Sequence, residues 1–213
     1  MTSRNLIYIP IIHNQADMGT LSGRLRQITI RKSGLQAWKQ KVSSIEAMWR
    51  HIEQAIGHWS LPYPRLRVYQ DGLPVCGREL EIVMDLAKAG SRNHQLLLKL
   101  KAHGATIMGT ESPDLLLQEY RLIQQLLPAS QPEQKAGIRR APTPLSSRQK
   151  TLSRTLLKKR DQAIGVRINA TLQAGETGLL FLGMLHSLEP WLAKDIGVTY
   201  PIYQPFITRE PIP

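Results

Sequence analysis

The stretch Gly178-Leu-Leu-Phe-Leu-Gly183-Met-Leu-His186-Ser187 narrows the choice of fold more than any other part of this chain. From Gly178 to Leu185 no polar side chain interrupts the run. Without alternation, such a run suits a strand covered on both faces, the situation of strands in parallel sheets. It stops at His186, and Ser187-Leu-Glu189-Pro-Trp-Leu then reads as a short helix. A titratable residue where a parallel strand stops lies in the crevice where open α/β sheets bind their ligands. A second histidine, His13, closes a comparable run over residues 6–12.

The segments between these histidines alternate in type. Residues 6–12 are β-branched-rich, and Pro10, which cannot donate to a ladder, marks an edge or a departure from the sheet. Asn14 suits the N-cap of a helix carrying Met18, Leu21 and Leu25. Leu35, Trp38, Val42, Ile45, Trp49, Ile52, Ile56 and Trp59 then fall at alternating steps of three and four, one apolar stripe of a helix that Pro62 and Pro64 end. Its three tryptophans read as core or subunit packing. Residues 66–70 form a strand closed by Asp71-Gly72. Helices follow over residues 79–88 and 93–103, stopped by Gly90 and Gly104. Residues 105–110 form a strand that runs into Glu111. Ser112-Pro113-Asp114 opens a helix reaching about residue 127, with a hydroxyl N-cap, a proline at the first helical position and an acid in the first turn. A long helix from Arg148 to about Leu172 buries Leu152, Leu156, Ile164 and Ile168, and residues 196–200 are a final edge strand.

This alternation predicts an α/β protein, with a mostly parallel sheet of about five strands flanked by helices and an active-site rim at the strand ends. Residues 1–127 are an N-terminal α/β part, and residues 128–147 a linker rich in Pro, Ser and Gln. Residues 148–213 are a helix-strand-helix-strand part completing the same single domain.

A chain of 213 residues, 42% hydrophobic, suffices for one core. Its longest apolar run is far short of the roughly 20 residues that span a bilayer. The first residues lack the apolar centre of a signal peptide. The single cysteine, Cys76, excludes an internal disulfide framework, and it reads as a small buried hydrophobe. These features predict a cytoplasmic protein with no membrane partner. The net charge of +12 raises nucleic acid as a partner. The excess is concentrated, however, in Lys135, Arg139, Arg140, Arg148, Lys150, Arg154, Lys158, Lys159 and Arg160, opposed in that segment by Glu133 alone. No aromatic platforms interleave with these residues, so a solvated linker and helix face is favoured over nucleic-acid binding. The tryptophan stripe is compatible with a homo-oligomer.

Four predicted strands end in a titratable residue: His13, Asp71, Glu111 and His186. On a parallel sheet they share one rim. Two imidazoles with carboxylates are reasonable ligands for a divalent metal, with a position left for activated water. Each also has a plain structural role. A strand-end histidine packs or caps a helix, Asp71 before Gly72 makes a turn, and Glu111 complements the helix opening at Ser112. Arg160 adds an independent signal. It falls on the buried ladder of its helix between Leu156 and Ile164, where a guanidinium needs a carboxylate such as Glu111 or Asp71 unless it reaches along the helix to water. Asp17 and Glu189 follow the two rim histidines closely, as partners orienting the imidazoles or as helix-start acids. His51, His58, His94 and His103 lie on helical segments without ligand-like spacing. No phosphate-binding glycine loop or His-Glu-x-x-His motif is present.

The order Lys159-Arg160-Asp161, helix, apolar strand, Gly183-Met184-Leu185-His186 resembles the C-terminal signature of the TraB/Tiki/GumN proteins, within the erythromycin-esterase-like and ChaN-like superfamily. The resemblance extends over the chain, with His13 as the first motif histidine and Glu111, in Gly109-Thr110-Glu111-Ser112, as the strand-end acid. Pro10 stands where the first motif has glycine, and Lys159 where an acid is usual. The resemblance implies metal-dependent peptidase, metal-independent esterase or haem-binding activity, according to branch. It implies a site at His13, Glu111 and His186 with the Arg160-Asp161 pair before the second histidine. Joined to the strand-end pattern, this predicts that His13, Glu111 and His186 hold a metal such as Mn, Co or Zn and that Asp71, Glu111, Arg160 and Asp161 take part in catalysis, Asp71 by orienting water or substrate. The leading expectation is a metal-assisted hydrolase of an amide or ester bond in a small molecule or peptide. In a metal-free variant, one histidine acts as general base. The alternatives are a non-catalytic binding or regulatory protein with an acidic partner, and a haem- or iron-binding protein.

Overall fold

The structure is a computed structural model, and it describes residues 3–13, 17, 22–126 and 147–202. Its strands are β1 (Arg4–Ile11), β2 (Leu66–Gln70), β3 (Thr106–Met108), β4 (Thr177–Gly183) and β5 (Ile196–Thr199). They form one wholly parallel sheet in the order β3-β2-β4-β1-β5. The flanking helices are α1 (Ser22–His58), α2 (Glu79–Lys88), α3 (Arg92–Ala102), α4 (Pro113–Leu126) and α5 (Ser147–Thr171). The expected α/β class and five-stranded parallel sheet are both present.

The unbroken apolar run became β4, the central strand. It pairs with β1 from Asn5↔Thr177 to Ile11↔Gly183 and with β2 from Leu66↔Thr177 to Gln70↔Phe181. Leu179 and Phe181 pack on one face with Ile9, Val68, Trp49, Ile52 and Leu97, under α1 and α3. Leu180 and Leu182 pack on the other with Leu6, Tyr69, Ile164 and Ile168, under α5. All four β4 side chains are fully buried, which is why the run has no polar member.

Several details depart from expectation. β1 is an interior strand, yet β5 pairs with it only from Arg4 to Ile7, so Pro10 lies beyond the ladder on that side. The two helices expected between residues 14 and 59 are joined in α1, broken at Gly34, whose φ of 86° and ψ of 161° are non-helical. Asn14, the expected helix start, lies outside the described residues, as do residues 128–146 of the expected linker. The α1 stripe is buried at Trp49, Ile52 and Ile56, but Leu35 is exposed and Trp38 half-buried, so the stripe outruns the sheet it covers. Leu152 is likewise exposed, and the buried ladder of α5 starts at Leu156. Cys76 is exposed, in a loop tied to α2 through a bond from its N–H to Glu79 Oε1. No helix among the described residues is long and apolar enough to cross a membrane.

Candidate functional site

Across the sheet, β3, β2, β4 and β1 are consecutive, so their C-terminal ends carry Glu111, Asp71, His186 and His13 in that order. The backbone fixes each position. Gly72, at φ +76°, turns the chain directly after Asp71. The N–H groups of Thr110 and Glu111 both donate to Leu73 O, and Val75 N–H donates to Glu111 O, so Glu111 is tied to the segment that follows Asp71. Thr110 Oγ1 also accepts from Gln70 N–H at 2.9 Å. On β4, Gly183 N–H donates to Asp71 Oδ2 at 2.9 Å, and a Cβ at Gly183 would lie 2.8 Å from that oxygen. The glycine three residues before His186 is therefore the place where a carboxylate from β2 meets the β4 backbone.

Asp71 is buried and joined on all sides. His13 Nε2 lies 3.0 Å from Oδ2, Arg160 Nη2 donates to Oδ1 at 2.9 Å, and His186 Nε2 stands 3.8 Å from Oδ2. Burial alone would raise its pKa, but the His13 hydrogen bond and the nearby charges of His13, His186 and Arg160 hold it well below the usual carboxylate range. Burial works against the His13 imidazolium, but Asp71 and Asp17 outweigh it and raise the His13 pKa. Glu111, with no exposed surface, responds in the opposite sense to Asp71. Burial pushes its carboxyl above the ordinary value, Arg160 offsets part of that, and the charge on Asp71 adds to the rise.

Arg160 reaches the rim from the buried face of α5. Nε and Nη2 donate to Glu111 at 3.2 and 2.6 Å, Nη2 donates to Asp71, and Nη1 donates to both oxygens of Glu119 at 2.7 Å. A guanidinium carries its N–H donors on three nitrogens, and all three nitrogens are engaged. Arg160 therefore binds α5, α4 and the strand ends together.

The next residue of α5, Asp161, serves His186. Its Oδ1 lies 2.6 Å from His186 Nδ1 and its Oδ2 accepts from Ser187 N–H at 3.2 Å. When the ring is neutral, a carboxylate on Nδ1–H leaves the lone pair on Nε2, the nitrogen 3.8 Å from Asp71 Oδ2. Asp161 takes the part offered to Glu189, whose Oε1 instead accepts from Tyr200. Asp17 does stand beside His13, with Oδ2 3.9 Å from Nδ1.

The donor atoms of Asp71, Glu111 and His186 lie within 4.8 Å of one another. His13 joins this group through Asp71, so the convergent set differs from His13, Glu111 and His186 by the exchange of His13 for Asp71. Glu119, Thr110, Ser91 and His94 escaped sequence reasoning. Glu119 had one available signal: it lies on the helix that starts directly after Glu111. Compared with protein-family models, with curated proteins and with solved structures, the chain matches none.

Proposed function

We propose that this chain is a hydrolase of amide or ester bonds, with the TraB/Tiki/GumN type of strand-end site and His186 as general base. The observation that carries the reading is the Asp161–His186 pair at 2.6 Å, which leaves Nε2 facing Asp71 and Glu111. Such a pair fixes tautomer and ring orientation and favours the imidazolium that forms when Nε2 takes a proton from water. Both oxygens of Glu111 accept from Arg160, so the proton taken up at His186 Nε2 is the one passed on to the leaving group. His13, whose pKa is raised and whose side chain is 32% exposed, supplies positive charge at the mouth of the site when protonated. Arg160 and Asp71 hold these groups in place.

A metal-assisted form of the same hydrolase is the second reading, favoured by the convergence of Asp71, Glu111 and His186. Two carboxylates and an imidazole suit Mn, Co or Zn, and the Asp161–His186 contact is the kind that orients a metal-bound histidine. Such a cation supplies Lewis acidity and a water of lowered pKa. Against it, Arg160 and His13 already neutralise Asp71 and Glu111. The cytoplasm is the proposed location.

The test is a panel of generic esters and peptides assayed with wild type and His186→Ala, with and without chelator, beside metal analysis of the purified protein. Hydrolysis that survives chelation and is lost in His186→Ala is the expected result. Chelator-sensitive hydrolysis with near-stoichiometric metal selects the second reading. No hydrolysis of any substrate, with or without added Mn, Co or Zn, overturns both and leaves the binding and haem alternatives.

A further inference from the structure

Behind His13 lies a polar layer that neither the strand-end pattern nor the proposed chemistry uses. Ser91 caps α3, accepting from His94 N–H at 3.3 Å. Its hydroxyl also donates to Asp17 Oδ1 and lies 2.7 Å from His94 Nδ1. His94 Nδ1 is 3.5 Å from Asp17 Oδ1. These groups are deeply buried: Ser91 has no exposed surface, His94 is 4% exposed, and the Asp17 side chain is 2% exposed. Capping α3 requires the serine hydroxyl alone. Burying a carboxylate and an imidazole beside it carries a desolvation cost that the cap does not explain.

The arrangement makes sense from the side of the site. The first turn of α3 presents its positive end to Asp17, which favours a negative charge there. The other oxygen of that carboxylate, Oδ2, stands 3.9 Å from His13 Nδ1, while Asp71 Oδ2 holds Nε2 at 3.0 Å. The His13 ring thus lies between two carboxylates, one tied to β4 through Gly183 and one tied to α3 through Ser91. We infer that Asp17, Ser91 and His94 are positioning residues that hold the His13 ring toward Asp71, making the N-terminus of α3 a third wall of the site. The inference about activity rests on the hydrolase reading. The inference about the ring does not.

The test is nuclear magnetic resonance of the full chain with ¹⁵N-labelled histidine, with the His13 ring assigned by its loss in His13→Gln. Asp17→Asn should shift the His13 ring nitrogens and leave those of His186 in place. Ser91→Ala should do the same, and Ser91→Thr, which keeps the hydroxyl, should restore the wild-type positions. A purely structural layer would lower the melting temperature of all three variants and leave the His13 ring signals of Asp17→Asn unmoved, which overturns the proposal. If Ser91→Ala does not fold, Asp17→Asn and His94→Gln decide by the same signals. Where wild type hydrolyses a substrate, Asp17→Asn should lose roughly 10–100-fold in kcat with KM little changed. Absence of wild-type hydrolysis would count against the hydrolase reading alone.

Discussion

Replacing Arg160 by methionine tests the site's electrostatics most directly. The change keeps a long apolar stem on the buried face of α5 and removes the guanidinium donors held by Glu111, Asp71 and Glu119. Asp71 keeps His13 and the Gly183 N–H, and Glu119 is exposed enough to hydrate, so the cost falls chiefly on Glu111. That carboxyl, fully buried and without its cation, has an escape: it takes up a proton. From its ordinary value of 4.5, protonation at about pH 7 costs roughly 1.36 × 2.5, or ~3.4 kcal/mol, which caps the Glu111 share of the loss. This lies within the ~3–5 kcal/mol expected on breaking a buried ion pair. At about pH 5 the same cap falls to ~0.7 kcal/mol. Urea unfolding followed by tryptophan fluorescence should therefore show a deficit near 3 kcal/mol at about pH 7 that shrinks by more than half at about pH 5. In a domain of this size, ~3 kcal/mol lowers Tm by roughly 6–12 °C. A deficit below about 1 kcal/mol at about pH 7, or one equal at both pH values, would refute the claim that Arg160 neutralises a buried Glu111.

Three further outcomes follow from particular contacts. Asp161→Asn removes the charged acceptor on His186 Nδ1, so any hydrolytic kcat should fall about 10²–10⁴-fold while urea stability changes far less. Gly165→Ala sets helix propensity against packing: its Cβ would lie 2.5 Å from Trp191 Cβ and 3.0 Å from Trp191 O. A net loss of about 1–3 kcal/mol is expected in place of the propensity gain, and thermal denaturation gives the sign. The pH dependence of stability should have two limbs. Asp71, lowered in the fold, contributes above its unfolded value of 3.8 and loses this as pH falls through the folded one. His13, raised in the fold, contributes below 6.5 and loses this as pH rises through its folded value. Unfolding free energy measured from about pH 6 to about pH 9 should decline, and His13→Gln should flatten that limb.

Residues with a local pattern were legible in the sequence, and residues defined by a distant partner were not. The apolar run into His186 marked a central strand because burial on both faces leaves no polar position to alternate. His13, Asp71 and Glu111 were visible because each stands where such a pattern stops. Arg160 showed itself by charge on an apolar ladder, although its partners had to be guessed. Glu119 and His94 sit at ordinary helical positions and Ser91 at an ordinary N-cap, and only the packing of α4 against α5, and of α3 near the strand ends, gives them meaning. Asp161 was legible through its place next to Arg160, but its pairing with His186 depends on how α5 lies against β4. The exposure of Leu35, Leu152 and Cys76 was invisible for the converse reason. Periodicity reports which face a helix would bury, and says nothing of how far the covering body extends.

These partners tie described residues before residue 127 to described residues after residue 146. The N-terminal part contributes His13, Asp71, Glu111 and Glu119, a set with one imidazole against three carboxylates. The C-terminal part contributes Arg160, Asp161 and His186. Every rim contact shorter than 3 Å in which Arg160 takes part crosses between the two. Separately, the first would bury uncompensated negative charge, and the second would bury a guanidinium without an acceptor among its neighbours on the ladder. Central placement of β4 has the same effect on the backbone, since β1 and the β2–β3 pair of the N-terminal part are joined only through β4. The pairing of β4 with β1 and β2 and the contacts of Arg160 on α5 both join the two parts of the chain. A site assembled this way is complete only in the folded chain, and the groups that hold it together, Arg160 and Asp71, differ from the group with a free lone pair, His186.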